Sequence, residues 1–451
     1  MATRAITDPA AIAEIALRSN DANVATSAAR RLKDVALLVS VAKGAAVRAA
    51  AQLALSKLAD EHIIAEIALE ASDAVVAKDA AKRLVDQSLL LHVARSAADA
   101  LVRRTALKHL EDASLLSDFV VAEGDAALRE LAVEHLKDPE ALARVAVAAA
   151  PPFALRALEK LTEPRTLARV ALEAADPAVR VAAVERLSDG RLLARLAKED
   201  PEEQVRARAL ERLRSERLIE SVARSGLFAD TRARAVRGVR DAGALAAVAT
   251  GDGDARARSE ATRRLEDQDV LARLAREDSD HRVRRDAVVR IKDRALIAAI
   301  AVDDADFRVR EAAARRVRDQ ALLRRIAEWD KAWQVRRAAL ERVDSQAVLV
   351  NRARNDEERS VRVTALKRVE DVAVLVNRAQ WDESDEARAV ALHRLTDASA
   401  LRQVIHGTAP EPIREAARAR LSELEAGEAK TEPSAGKAAD APARRRRRRR
   451  R

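Results

Sequence analysis

A Val-Arg pair, or a close variant of it, returns every 26 residues along this chain, and a period of that size dictates a stack of small repeated units rather than one globule. Taking the first position of the pair as anchor, the units fall at Val24, Val47, Val76, Val102, Leu128, Phe153, Val179, Val205, Thr231, Ala257, Val283, Val309, Val335, Val361, Ala387 and Ile413. From Phe153 onward every spacing is 26, whereas the earlier ones are 23, 29, 26, 26 and 25. An alanine stands four residues after each of the sixteen anchors, from Ala28 through Ala183, Ala287 and Ala339 to Ala417. Small side chains at one helical position let neighbouring helices pack closely, so this column is expected to be buried.

One unit shows how the pattern folds. Val309, Ala313 and Val317 lie at 0, +4 and +8, within an arc of about 80° on a 3.6-residue helix, and define a narrow buried stripe. Leu322, Leu323, Ile326 and Ala327 make a second, shorter stripe. Asp306 and Asp319 each stand just ahead of a stripe, where a carboxylate accepts free backbone N–H groups and meets the positive end of the helix dipole. The first cap recurs at Asp21, Asp73, Asp99, Asp125, Asp176, Asp254 and Asp280. The second recurs at Asp34, Asp86, Asp112, Asp138, Asp189, Asp241, Asp267, Asp293, Asp371 and Asp397. Helices of about ten residues are marginal alone, so each unit must bury its stripes against the next.

The Asp, Val-Arg and Ala pattern resembles the second helix of a HEAT/armadillo-like repeat over roughly residues 8 to 421. The resemblance implies an all-α solenoid of about sixteen two-helix repeats, with a first helix shortened relative to repeats of about 40 residues. It also implies a hydrogen-bonded Asp–Arg ladder, with pairs such as Asp176 with Arg180, Asp280 with Arg284 and Asp306 with Arg310. The organisation expected is 1–152, repeats of irregular spacing; 153–424, regular repeats; 425–443, a disordered linker of small, charged and proline residues; and 444–451, a poly-arginine tail. Pro151-Pro152 marks an altered bend, read either as a kink at a helix start or as a hinge between two halves.

Charge and composition narrow the function classes. The formal net charge is +10, but Arg444, Arg445, Arg446, Arg447, Arg448, Arg449, Arg450 and Arg451 supply most of it, and the body is nearly neutral. Aromatic residues are 2% of the chain and cysteine is absent, which excludes disulfides, thiol nucleophiles and thiolate metal sites. The seven histidines never fall three to five residues apart, and no glycine-rich phosphate loop or nucleophile elbow is present. No metal, cofactor or small-molecule substrate is expected, and the chain reads as a non-enzyme. Charges interrupt every apolar run, so no membrane insertion is expected and the protein is placed in the cytoplasm.

Three sets of residues are candidates for binding. Adjacent arginines at 444–451 repel one another until a polyanion neutralises them, so the tail reads as an anchor to RNA or a ribonucleoprotein, or else as a solubility tail or a low-complexity expansion. A basic column seven after the anchor, including Arg186, Arg212, Arg264, Arg290, Arg316, Arg342, Arg368 and Arg394, reads as a track for nucleic acid along the solenoid groove. Its structural alternative is a set of stems packed on the next unit with the charges turned outward. The neighbouring position alternates in sign, from Glu134, Glu159, Glu185 and Glu211 to Arg237, Arg263 and Arg315, which suits a protein partner better than a duplex. The acidic edge Asp200, Asp252, Asp278, Asp304, Asp330, Asp356 and Asp382 reads as turn and cap chemistry. Trp329, Trp333 and Trp381 are the partner-facing candidates, with packing under a turn as the alternative. The function expected is a scaffold that binds a protein along the solenoid, with direct nucleic-acid binding through the repeated Lys/Arg column as the alternative.

Overall fold

The computed structural model describes residues 6–122 and 124–431, with side chains as far as residue 426. These residues form thirty-two α-helices, from Pro9–Arg18 to Glu411–Thr431, and no strand. The helices pair in chain order into sixteen repeats, and each anchor sits in, or caps, the second helix of its pair. The chain divides into two compact units, Met1–Arg240 and Asp241–Arg451. Nine helix pairs are described in the first and seven in the second.

The repeat around Val309 shows why the sequence folds this way. Its first helix is Arg294–Asp303 and its second Phe307–Ala314, joined by Asp304, Ala305 and Asp306. Asp306 caps the second helix by accepting the Arg308 N–H at 2.8 Å, and Asp319 caps the following helix, Gln320–Trp329, through the N–H groups of Ala321 and Leu322. The buried stripe is as the period requires: Val309 and Ala313 are fully enclosed and Val317 nearly so. All sixteen alanines of the +4 column are buried. From Ala255 to Arg394 the second helices of neighbouring repeats lie closer together than the first helices do, as that column of methyl groups allows. The first helix is not selectively shortened. Here it has ten residues and the second has eight, so both fall short of the longer repeat.

Pro151 and Pro152 open the helix Pro151–Lys160, inside the first unit. Proline needs no N–H in a first turn and its fixed φ suits a helix start, so the pair replaces the aspartate cap. At the other end, Glu411–Thr431 continues past Leu424, where the repeat pattern stops. The rest of the expected linker and the arginines Arg444–Arg451 lie outside the described residues.

Candidate functional site

Most of the repeated arginines are held inside the stack. The +1 arginine of one repeat reaches the −5 aspartate of the next and forms a two-pronged ion pair: Arg180 with Asp200, Arg258 with Asp278, Arg284 with Asp304, Arg310 with Asp330, Arg336 with Asp356 and Arg362 with Asp382. In the Arg284 pair the two bonds are 2.9 and 3.0 Å. The third guanidinium nitrogen donates back to the turn of its own repeat, to Asp278 O at 2.9 Å and Ser279 O at 3.3 Å. Hydrogen bonding to the Asp304 carboxylate outweighs burial and raises the Arg284 pKa above its ordinary value.

This ladder corrects the pairing implied by the HEAT resemblance. Arg180, Arg284 and Arg310 reach aspartates twenty residues ahead, not Asp176, Asp280 and Asp306. The latter three carboxylates face backbone N–H groups of their own helices. Where Gly226 replaces the −5 aspartate, Arg206 turns instead to Asp230 at 3.0 Å and Thr231 at 2.9 Å and lies over the Phe228 ring at 3.8 Å. A Cβ at Gly226 would come within 2.9 Å of Val222 O, so a side chain there requires a local shift of the backbone.

The +7 column faces backbone. Arg186 donates to Leu158 O and Leu161 O, Arg316 to Val288 O, Arg212 to Leu187 O at 2.9 Å, and Arg290 to Leu265 O at 2.7 Å. Arg342, Arg368 and Arg394 make the same contact with Arg315 O, Leu340 O and Val369 O. Every acceptor belongs to the end of the preceding second helix or the residues just past it, where unpaired carbonyls and the negative dipole end meet a cation. Arg264 also has a partner. The column therefore caps helices across the repeat boundary, a role that neither the groove track nor the outward-turned alternative describes. Burial lowers the Arg316 pKa, in keeping with its enclosed position. At the neighbouring +6 position, Glu159, Glu185, Glu211, Arg263 and Arg315 form ion pairs with Arg156, Arg208, Arg208, Asp286 and Glu311 respectively.

The tryptophans are different. Trp329 and Trp381 each end a first helix, directly before a ladder aspartate, and are 77% and 60% exposed. Other repeats place Glu199, Gly251, Glu277, Asp303 or Asn355 at this position. Trp333 opens the helix Trp333–Leu340, is half-buried and lies under the Arg337 guanidinium at 5.2 Å. Beside Trp329 an open groove of about 460 Å³ runs between the first helices Arg294–Asp303 and Gln320–Trp329. Ala301, Val302 and Ile326 line it, and so do Arg325 and Lys331, which sequence reasoning did not single out. Arg325 precedes Trp329 by one helical turn, the spacing that could have revealed it.

Among the described residues no group of three or more His, Asp or Glu side chains is placed to hold a metal ion, and no helix is long and apolar enough to cross a membrane.

Paired short helices, capped ends and a ladder of charges between repeats define an all-α array of two-helix repeats. No family model and no curated protein matches the chain. Among solved structures it is similar to yeast importin-beta (Kap95p), with 14% identity, a TM-score of 0.21 and coverage of 95% of this chain and 65% of that one. It is also similar to the UNC-45 chaperone, with 14% identity, a TM-score of 0.18 and coverage of 94% and 55%. An engineered protein matches at 18% identity and a TM-score of 0.15, with coverage of 93% and 99%. The chain thus spans less than two thirds of the importin-beta and UNC-45 chains. Superpositions this shallow carry no argument about function.

Proposed function

We propose that this protein is a non-enzymatic scaffold that binds a protein partner through the edge bearing Trp329 and Trp381. Two large aromatic rings, exposed at the same place in repeats two apart, carry this reading. Tryptophan is enriched where interfaces concentrate their binding energy, and a solvated helix end has no packing need for it. The internal partners of the +7 arginines support the same view, because a cation already bonded to backbone carbonyls has fewer donors for a phosphate chain. In this proposal Arg444–Arg451 adds a second contact, with a polyanion such as RNA, whose strength falls steeply with salt.

The test is affinity capture from native lysate after nuclease treatment, with the native chain and with Trp329→Ala/Trp381→Ala. Proteins retained by the native chain and lost from the double variant are the expected result. Capture that disappears with nuclease and ignores both tryptophans contradicts the proposal and favours nucleic-acid binding along the repeats.

A further inference from the structure

We infer that the groove beside Trp329 takes an apolar side chain from an extended, acidic segment of a partner protein; this rests on the protein-binding reading above and names the chemistry of the segment. Ala301, Val302 and Ile326 are the aliphatic residues in the groove lining; Ala301 and Ile326 are buried, so Val302 and the largely exposed Trp329 indole offer most of its apolar surface. Covering such a wall with a leucine-sized side chain removes apolar surface of both partners from water.

Charge selects what flanks that side chain. Arg325 lies one turn before Trp329 and Lys331 lies two residues after it, past the helix end, so cations stand on both sides of the indole along the chain. Both are exposed, and neither forms an ion pair with a described side chain. The carboxylate in the lining, Asp330, is already held by Arg310 at 2.9 and 3.0 Å. Two cations without acidic partners beside that apolar surface complement carboxylates on either side of one apolar residue.

The arrangement is particular to this repeat. Two repeats earlier the equivalent groove carries Glu277 in place of Trp329 and Ser279 in place of Lys331. Two repeats later Trp381 has Asn377 one turn before it and Glu383 two residues after it, so the basic flanks are gone. Apolar wall and paired cations coincide only at Trp329 among these three positions.

Full-length protein carrying Trp333→Phe and Trp381→Phe leaves Trp329 as the only tryptophan and makes its emission the readout. The probe is a synthetic seven-residue peptide, Glu-Glu-Glu-Leu-Glu-Glu-Glu, with two controls in which the leucine is serine or the glutamates are lysines. A saturable blue shift with the first peptide alone is expected. In calorimetry on the otherwise native chain, Trp329→Ala should weaken binding about tenfold or more, and so should Arg325→Glu with Lys331→Glu. Trp329 is exposed, so its replacement leaves the fold intact, as an unchanged melting curve verifies. Equal binding of the leucine and serine peptides, no emission shift at saturation, or unchanged affinity in Trp329→Ala overturns the inference and assigns the contact to charge elsewhere, the arginine tail included. If nuclease-resistant capture still depends on Trp329 and Trp381 while the peptide is ignored, this inference alone fails. If capture ignores them too, the protein-binding edge fails with it.

Discussion

Asp382 has no exposed side-chain surface, and Arg362 bonds both of its carboxylate oxygens at 2.8 and 2.9 Å. Burial pushes its pKa up, but the hydrogen bonds from Arg362 and from the Ser384 N–H outweigh it and hold the carboxyl below its ordinary value of 3.8. A depressed carboxylate contributes stability that is complete above the unfolded pKa and is lost as pH falls through the folded one. The window therefore lies below about pH 4. Asp382→Asn leaves Arg362 enclosed without a counter-charge and should cost about 3–5 kcal/mol at pH 7. Urea unfolding at pH 7 and pH 3 should show that difference shrinking in acid, because below about pH 4 the unfolded carboxyl takes up a proton that the paired one resists. A gap that stays constant across the range contradicts the assignment. Which aspartate pairs with each arginine was not legible in the sequence. Both acidic columns are close enough along the chain, and only the stacking of the next repeat decides between them.

At the scale of the helix, the aspartate caps and the +4 alanines were legible because each acts within its own turn. Asp21, Asp189 and Asp371, among others, accept the N–H groups that the spacing assigns to them. Carboxy-terminal capping by the +7 arginines was not legible, since its acceptors are backbone carbonyls, which leave no residue-type signature. Nor did the spacing decide where a tryptophan at a helix end would point. The alanine column offers a direct check. Ala287 is fully enclosed in His281–Arg290, so Ala287→Leu overpacks the contact with the neighbouring repeats and should lower stability by about 1–3 kcal/mol in urea unfolding. Unchanged stability would place that face of the helix in solvent and undo the helical phase.

For the whole molecule, repeats that touch only their neighbours make stability a sum of local terms, and the arginine columns supply one such term at most boundaries. The chain can then be strongly charged while the guanidinium groups of these two columns are taken up inside the stack, and Arg325 and Lys331, which belong to neither column, stay exposed beside Trp329. The most direct measurement of this internal capping is the urea midpoint of full-length protein carrying Arg290→Met, Arg316→Met, Arg342→Met and Arg368→Met. Methionine keeps much of the stem but removes the donors to Leu265, Val288, Arg315 and Leu340. At about 1 kcal/mol per bond, nearly additive across separate repeats, the loss should reach about 4 kcal/mol. A midpoint equal to that of the native chain would mean these guanidinium groups are free of the stack and face outward, which contradicts capping across the repeat boundary.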